Sequence, residues 1–242
     1  MKNILITGIS KGLGLHLTEM LLSKHDCTIY GISRTKTDEL SALLEKFPER
    51  LRWLSFDLNC IDEIEKTVFD NFIGKDTVLS CFVNNAAILY KDLILRINAE
   101  RMAELFRVNT QAPILLSKCV VKNFVTHKTA GSIVHLSSIC AHAGFDGLSM
   151  MGASKSAIEA FSRTTAKEYG RKGIRSNVVV VGLLDIGMGH TVNDAQMRGL
   201  YSQSALGKLT DYQSVLFMIE SLLSDNSKSI TGQNIHINAG IV

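Results

Sequence analysis

The chain has 242 residues, of which 46% are hydrophobic and 20% charged, with a formal net charge of +3. That supplies the core of one large α/β domain, while Lys and Arg are scattered rather than gathered into a run, which argues against nucleic acid as a partner. Five cysteines (Cys27, Cys60, Cys81, Cys119 and Cys140) are far apart, odd in number and never in a C-x-x-C pair, so neither a metal site nor a disulfide framework is expected.

In chain order, "MKNILITGIS" passes from an apolar run into a glycine turn rather than into a cleavable segment, and no run approaches the length of a membrane span. A soluble, untargeted, cytoplasmic protein with no membrane partner is expected. The first strand, "NILIT", leads through "TGISKGLG" into a helix patterned by Leu13, Leu17, Met20 and Leu21. "CTIYGIS" and "LRWLSF" read as the next strands, followed by helical spacing at Ile61, Ile64, Val68 and Phe72. A fourth strand is expected over "TVLSCFVN", then a long helix from about Ala99 to His127 and a fifth strand at "GSIVHLS". The helix opened by "SMMGASKSAIEAF", the strand "RSNVVVVG", an irregular interval from Leu183 to Arg198 and the strand "QNIHIN" complete the series. Near-continuous apolar strands alternating with helices predict an α/β, doubly wound, seven-stranded parallel sheet with helices on both faces.

Gly8, Gly12 and Gly14 follow a strand and open a helix, a setting in which backbone amides can approach a pyrophosphate; a tight structural turn would read similarly. Their spacing, G-x-x-x-G-x-G, differs from the general dinucleotide fingerprint. With "NNAA" at Asn84 to Ala87, "FDL" at Phe56 to Leu58, Asn109 in "RVNTQ", "IVHLSS" ending at Ser138, the block "ASKSAIEAFSRTTAKEYGRKGIRSNVV" and "ITGQNIHINAG", the chain resembles the short-chain dehydrogenase/reductase family over nearly its whole length. Within it, the pattern is most similar to 3-oxoacyl-[acyl-carrier-protein] reductases.

The resemblance implies one NAD(P)-binding Rossmann domain over residues 1–242, with a short substrate-covering segment around 183–205. It places Gly8, Ser10, Lys11, Gly12 and Leu13 along the cofactor, Asp57 and Leu58 against the adenine, and Asn85 and Ala86 near the adenosine ribose and pyrophosphate. At the end of the second strand a carboxylate favours NAD and an arginine accommodates a 2'-phosphate. Here "YGISRTKT" holds Arg34 and no acid, and Lys11 adds a second cation, so NADP (as NADPH) is the expected cofactor.

The family reduces carbonyls with an Asn, a Ser, a Tyr and a Lys, and Asn109, Ser138 and Lys155 match. Lys155 is also implied in holding the nicotinamide ribose. The tyrosine position, four residues before Lys155, is Met151, and no Tyr lies between Tyr90 and Tyr169. Methionine has no transferable proton, so a substitute acid is needed: His142, Lys155 itself or His190, with Met150 and Met151 as apolar pocket wall. The family's P-G-x-x-x-T segment also departs, reading Val181 to Ile186. Two readings stay open, an NADPH-dependent reductase of a keto group with an atypical M-x-x-x-K site, and a catalytically silent NADP-binding protein acting as sensor or partner subunit. The expected substrate is a small carbonyl compound, with a 3-oxoacyl thioester on an acidic carrier as one form, met by Lys128, Arg171 and Lys172. A homodimer or homotetramer through the two long helices is expected.

Overall fold

In the computed structural model, residues 1–184, 186 and 204–241 are described. Of the interval around 183–205, only Leu183, Leu184, Ile186, Ser204 and Ala205 fall within that set, and His190 lies outside it.

Seven parallel strands form one sheet: β1 (Lys2–Thr7), β2 (Cys27–Ser33), β3 (Leu51–Ser55), β4 (Cys81–Asn84), β5 (Gly131–Ser138), β6 (Ile174–Val181) and β7 (Asn234–Ile237). The spatial order is β3-β2-β1-β4-β5-β6-β7. The chain winds outward from β1 to β3, returns to set β4 beside β1, and winds outward again, so the direction reverses between β1 and β4. In such sheets a crevice opens there, outside the carboxyl ends of the strands.

Strand alternation sorts the core into two layers. Ile4, Ile6, Ile29, Val83, Val134, Leu136 and Val179 face one side, with α1 (Gly12–Lys24), α2 (Asp38–Lys46) and the last helix, α6 (Tyr212–Leu223). Leu5, Tyr30, Ile32, Phe82 and Ile133 face the other, with the helical segment Ile64–Ile73 and helix α4 (Ala112–Thr126). Burial on both faces accounts for the unbroken apolar strands. Helix α5 (Ser149–Tyr169) packs on β5 and β6 and carries the "SMMGASKSAIEAF" stretch.

Two elements differ from the sequence expectation. Only Cys81–Asn84 of "TVLSCFVN" joins the sheet. Ahead of it the backbone is bound by a side chain instead of a second strand: Asn123 accepts from the Leu79 amide at 3.0 Å and donates to the Thr77 carbonyl at 2.8 Å. The long helix from Ala99 is divided into α3 (Ala99–Phe106), capped by the Asn98 side chain, a widened turn Arg107–Gln111, and α4. Pro113 explains the widening, because it has no N–H to close the usual bond onto the Asn109 carbonyl four residues back. Asn109 sits inside that turn, fully buried.

Candidate active site

The carboxyl end of β1 turns through Gly8, at φ +76°, and Gly12, at φ +57°, both in the left-handed region that favours glycine. A Cβ on Gly14 would lie 2.1 Å from the Gly8 carbonyl oxygen, so the turn closes on itself only with glycine there. Helix α1 starts without a side-chain cap and without an acid in its first turn, which leaves its amide dipole open to an anion.

The Asn85 side chain braces this turn, donating to the carbonyls of Thr7 at 3.0 Å and Gly8 at 3.1 Å. Buried Thr7 returns the contact through its hydroxyl oxygen, which accepts from the amides of Asn85 and Ala86. Thr37, which reports no signal of its own in the sequence, donates to the Ser10 carbonyl at 2.7 Å and so ties the loop carrying Arg34 to the turn carrying Lys11. Arg34 and Lys11 are both exposed. Leu58 is buried after β3, Asp57 beside it is exposed, and Leu13 is half-buried on α1. Apart from Lys155 on α5, the residues expected along the cofactor lie at the carboxyl edge of the sheet or at the start of α1.

The candidate catalytic residues gather at the same edge, beyond β4 and β5. The Asn109 side chain is fully committed: its oxygen accepts from the Ile88 amide at 2.8 Å, and its NH₂ donates to the Ile88 carbonyl at 2.9 Å and to the Met151 sulfur at 3.5 Å. Ser138 ends β5 and its oxygen accepts from the Cys140 amide at 3.3 Å, capping the turn Ile139–Ala141 while its own O–H remains a donor. Lys155 is buried, with its amine donating to the Leu136 carbonyl at 2.8 Å. Burial pushes its pKa down to about 8, against the raising influence of the Glu159 carboxylate. Met151 is buried in a small apolar cluster with Tyr90 and Leu105. Tyr90 thus shares the Met151 cluster, but its hydroxyl accepts from the Asn98 amide at 2.7 Å, at the start of α3.

The sequence reading missed Glu159. This buried carboxylate accepts from Ser137 at 2.5 Å, Asn234 at 2.6 Å and His142 at 3.0 Å. The signal for it was present, since an acid between Ile158 and Phe161, four residues after Lys155, shares the lysine's buried helix face. Lys128, Arg171 and Lys172 lie before β5 and β6 begin, about 25 Å from the carboxyl ends of those strands by strand rise, and so are not brought to the site.

A parallel sheet with this order, a glycine turn opening α1 at the reversal, a Ser ending β5 and a buried Lys bonded to the same strand define an oxidoreductase fold of the short-chain type, built on a Rossmann sheet. The family profile described as Enoyl-(Acyl carrier protein) reductase matches residues 8–242, and the chain belongs to that family, within the short-chain dehydrogenase/reductases. It is 28% identical over 244 residues to the 3-oxoacyl-[acyl-carrier-protein] reductase FabG of Buchnera aphidicola subsp. Baizongia pistaciae (strain Bp), covering 99% of this chain and 97% of that one. Among solved structures, a 4-hydroxyisoleucine dehydrogenase mutant complexed with NADH and succinate superposes with a TM-score of 0.93 at 24% identity, covering 100% of this chain and 98% of the other. ElxO with NADP bound gives 0.86 at 23% identity, covering 99% and 98%. Among the described residues no helix is long and apolar enough to cross a membrane.

Proposed function

We propose that the protein is an NADPH-dependent reductase of a keto group, with Lys155 serving as proton source where the family pattern has a phenol. The observation that carries this reading is the buried Lys155 amine, held by the Leu136 carbonyl of β5 two residues before Ser138, with its pKa lowered to about 8. An amine so placed exchanges its proton near neutral pH, which suits general acid catalysis.

The residues present fit a phosphorylated dinucleotide. A Cβ on Gly8 would meet Asn85 at 2.8 Å, so only a bare backbone forms this cradle, and the uncapped α1 terminus faces the same opening. Lys11 and Arg34 supply the cations for a 2'-phosphate, and no acid stands in "YGISRTKT" to oppose it. When bound, the reduced nicotinamide supplies the hydride. The protein's part is to orient and polarise the carbonyl through the Ser138 O–H, to deliver a proton from Lys155 Nζ to the carbonyl oxygen, and to keep the neighbouring wall dry with Met151 and Tyr90. Asn109 acts by holding Ile88 and Met151 in place. The whole chain acts as a single domain, as a homodimer or homotetramer in the cytoplasm.

A 3-oxoacyl thioester is the substrate class supported by the FabG relatives' names. An acidic carrier bound to Lys128, Arg171 and Lys172 would stand at the far end of the sheet from Ser138 of the same subunit, so those cations are not needed for the chemistry proposed.

A silent NADP-binding protein is the second reading, favoured by Met151, whose buried side chain is bonded only through its sulfur and has no proton to give. Direct titration with NADPH and NADH, run beside turnover on a panel of activated ketones and 3-oxoacyl thioesters, separates the two. Tighter NADPH binding with turnover lost in Lys155→Ala supports the reductase; tight binding without turnover on any carbonyl supports the silent reading. Equal affinity for both nucleotides would overturn the cofactor assignment, and a preference unchanged in Arg34→Asp would overturn the role of Arg34 in it.

A further inference from the structure

Glu159 lies one helical turn beyond Lys155 on α5 and touches the chain on both sides of Ser138. Its carboxylate accepts from Ser137, the residue immediately before, and from His142, four residues after. A third bond comes from Asn234 of β7, and His236 of the same strand packs edge-on against His142 with ring centroids 4.5 Å apart. The turn between is further pressed against α5. A Cβ on Gly152 would stand 2.4 Å from the Cys140 carbonyl, and Ser156 donates to the Ala141 carbonyl at 3.5 Å. One buried charge therefore joins the last strand, the turn that Ser138 caps, and the helix that carries Lys155.

We propose that Glu159 is a positioning residue that fixes the Ser138 hydroxyl relative to Lys155 by gripping Ser137 and His142 together. This rests on the reading of Ser138 and Lys155 as the reacting pair. The physical basis is the satisfaction of a buried carboxylate, which needs several donors and loses heavily if one leaves. Two donors flank the turn at Ser138 and the third comes from β7, far away in sequence, so satisfying Glu159 fixes the separation of the turn, the last strand and α5. The titratable groups facing it are His142 from the turn, His236 from β7 and Lys155 from its own helix.

The test compares Glu159→Gln with Ser156→Ala in the full chain. The glutamine at 159 has one acceptor oxygen for three donors, whereas alanine at 156 removes only the other side-chain bond from α5 to the turn. In Glu159→Gln, kcat should fall about tenfold or more with KM and NADPH affinity unchanged, as expected of a small misplacement of a reacting group. The amides of Cys140 and His142 should exchange with solvent about tenfold faster, reporting local opening of the turn. The basic limb of the pH profile should also move to lower pH, because Lys155 loses the neighbouring negative charge that favours its protonated form. Ser156→Ala should stay within about twofold of the parent in kcat, since it removes only an exposed, long bond to the turn and leaves Glu159 with its three donors. Unchanged amide exchange in Glu159→Gln would overturn the clamp. Faster exchange with kcat unchanged would overturn its positioning role. A parent protein without turnover would overturn the reductase reading instead, and the exchange measurement would still decide whether the clamp exists.

Discussion

Replacing Lys155 by methionine, a side chain of similar length without charge, should make the protein more stable near neutral pH. In the fold Lys155 titrates at about 8, against about 10.5 for an unburied lysine. The gap of about 2.5 pH units, at about 1.4 kcal/mol each, amounts to about 3 kcal/mol of penalty for keeping the ammonium buried. Against this stands the bond from the amine to the Leu136 carbonyl, whose loss costs about 1 kcal/mol. Lys155→Met should therefore gain about 2 kcal/mol at pH 7, or a Tm rise of roughly 4–8 °C for a chain of this size. The pH dependence carries the sharper signature. Between about 8 and 10.5 the unfolded chain binds the proton that the folded chain has released, so parent stability rises through that window by up to about 1.4 kcal/mol per pH unit. The variant should lack this rise and lose its advantage by about pH 10. Urea unfolding of both proteins at pH 7, 8, 9 and 10, without nucleotide, measures it. Parallel stability curves would refute the premise that the lysine is held buried at a cost.

At acid pH the opposite strand residue matters. His135 is fully buried between Phe82 and Phe161, its pKa is pushed down to about 3 by burial and then by Lys155, and it stays neutral in the fold. The unfolded chain binds the extra proton below about 6.5, so this group alone should lower stability by up to about 1.4 kcal/mol per pH unit between about 6.5 and 3. His135→Gln should show a shallower acid loss in denaturant titrations. Gly152→Ala should destabilise by about 1–3 kcal/mol despite a better helix former, because the new methyl would lie 2.4 Å from the Cys140 carbonyl; calorimetry should show a lower Tm, and an unchanged or raised one would refute the close approach. Met151→Tyr should raise reduction of a simple activated ketone by about a hundredfold to ten-thousandfold if a phenol is the missing acid, and no gain with nucleotide still bound would mean that the cluster with Tyr90 and Leu105 leaves no path from that position to the substrate.

The sequence by itself determined the fold class and singled out the candidate residues, because both patterns are written locally. Apolar strands of buried sheets, helical spacing in Leu13, Leu17 and Leu21, and glycines at a strand-to-helix turn each act within a few residues of one another. The boundaries that failed did so where distant groups intervened: Asn123 supplied partners for Thr77 and Leu79 that the strand pattern assigned to the sheet. The widened turn at Asn109 was half legible, since Pro113 stands in plain view but its effect depends on the helix continuing past it. Only the tertiary structure decided how the site is held. It turned the Asn109 side chain onto Ile88, used Asn85 to brace the glycine turn, set Tyr90 beside Met151 with its hydroxyl spent on Asn98, and brought Ser137, His142 and Asn234 onto Glu159. Spacing along a chain fixes which face of an element a side chain occupies. It carries no information on which remote donors will satisfy a buried charge, and the sheet order that joins β5, β7 and α5 around Glu159 exists only once the whole chain has packed.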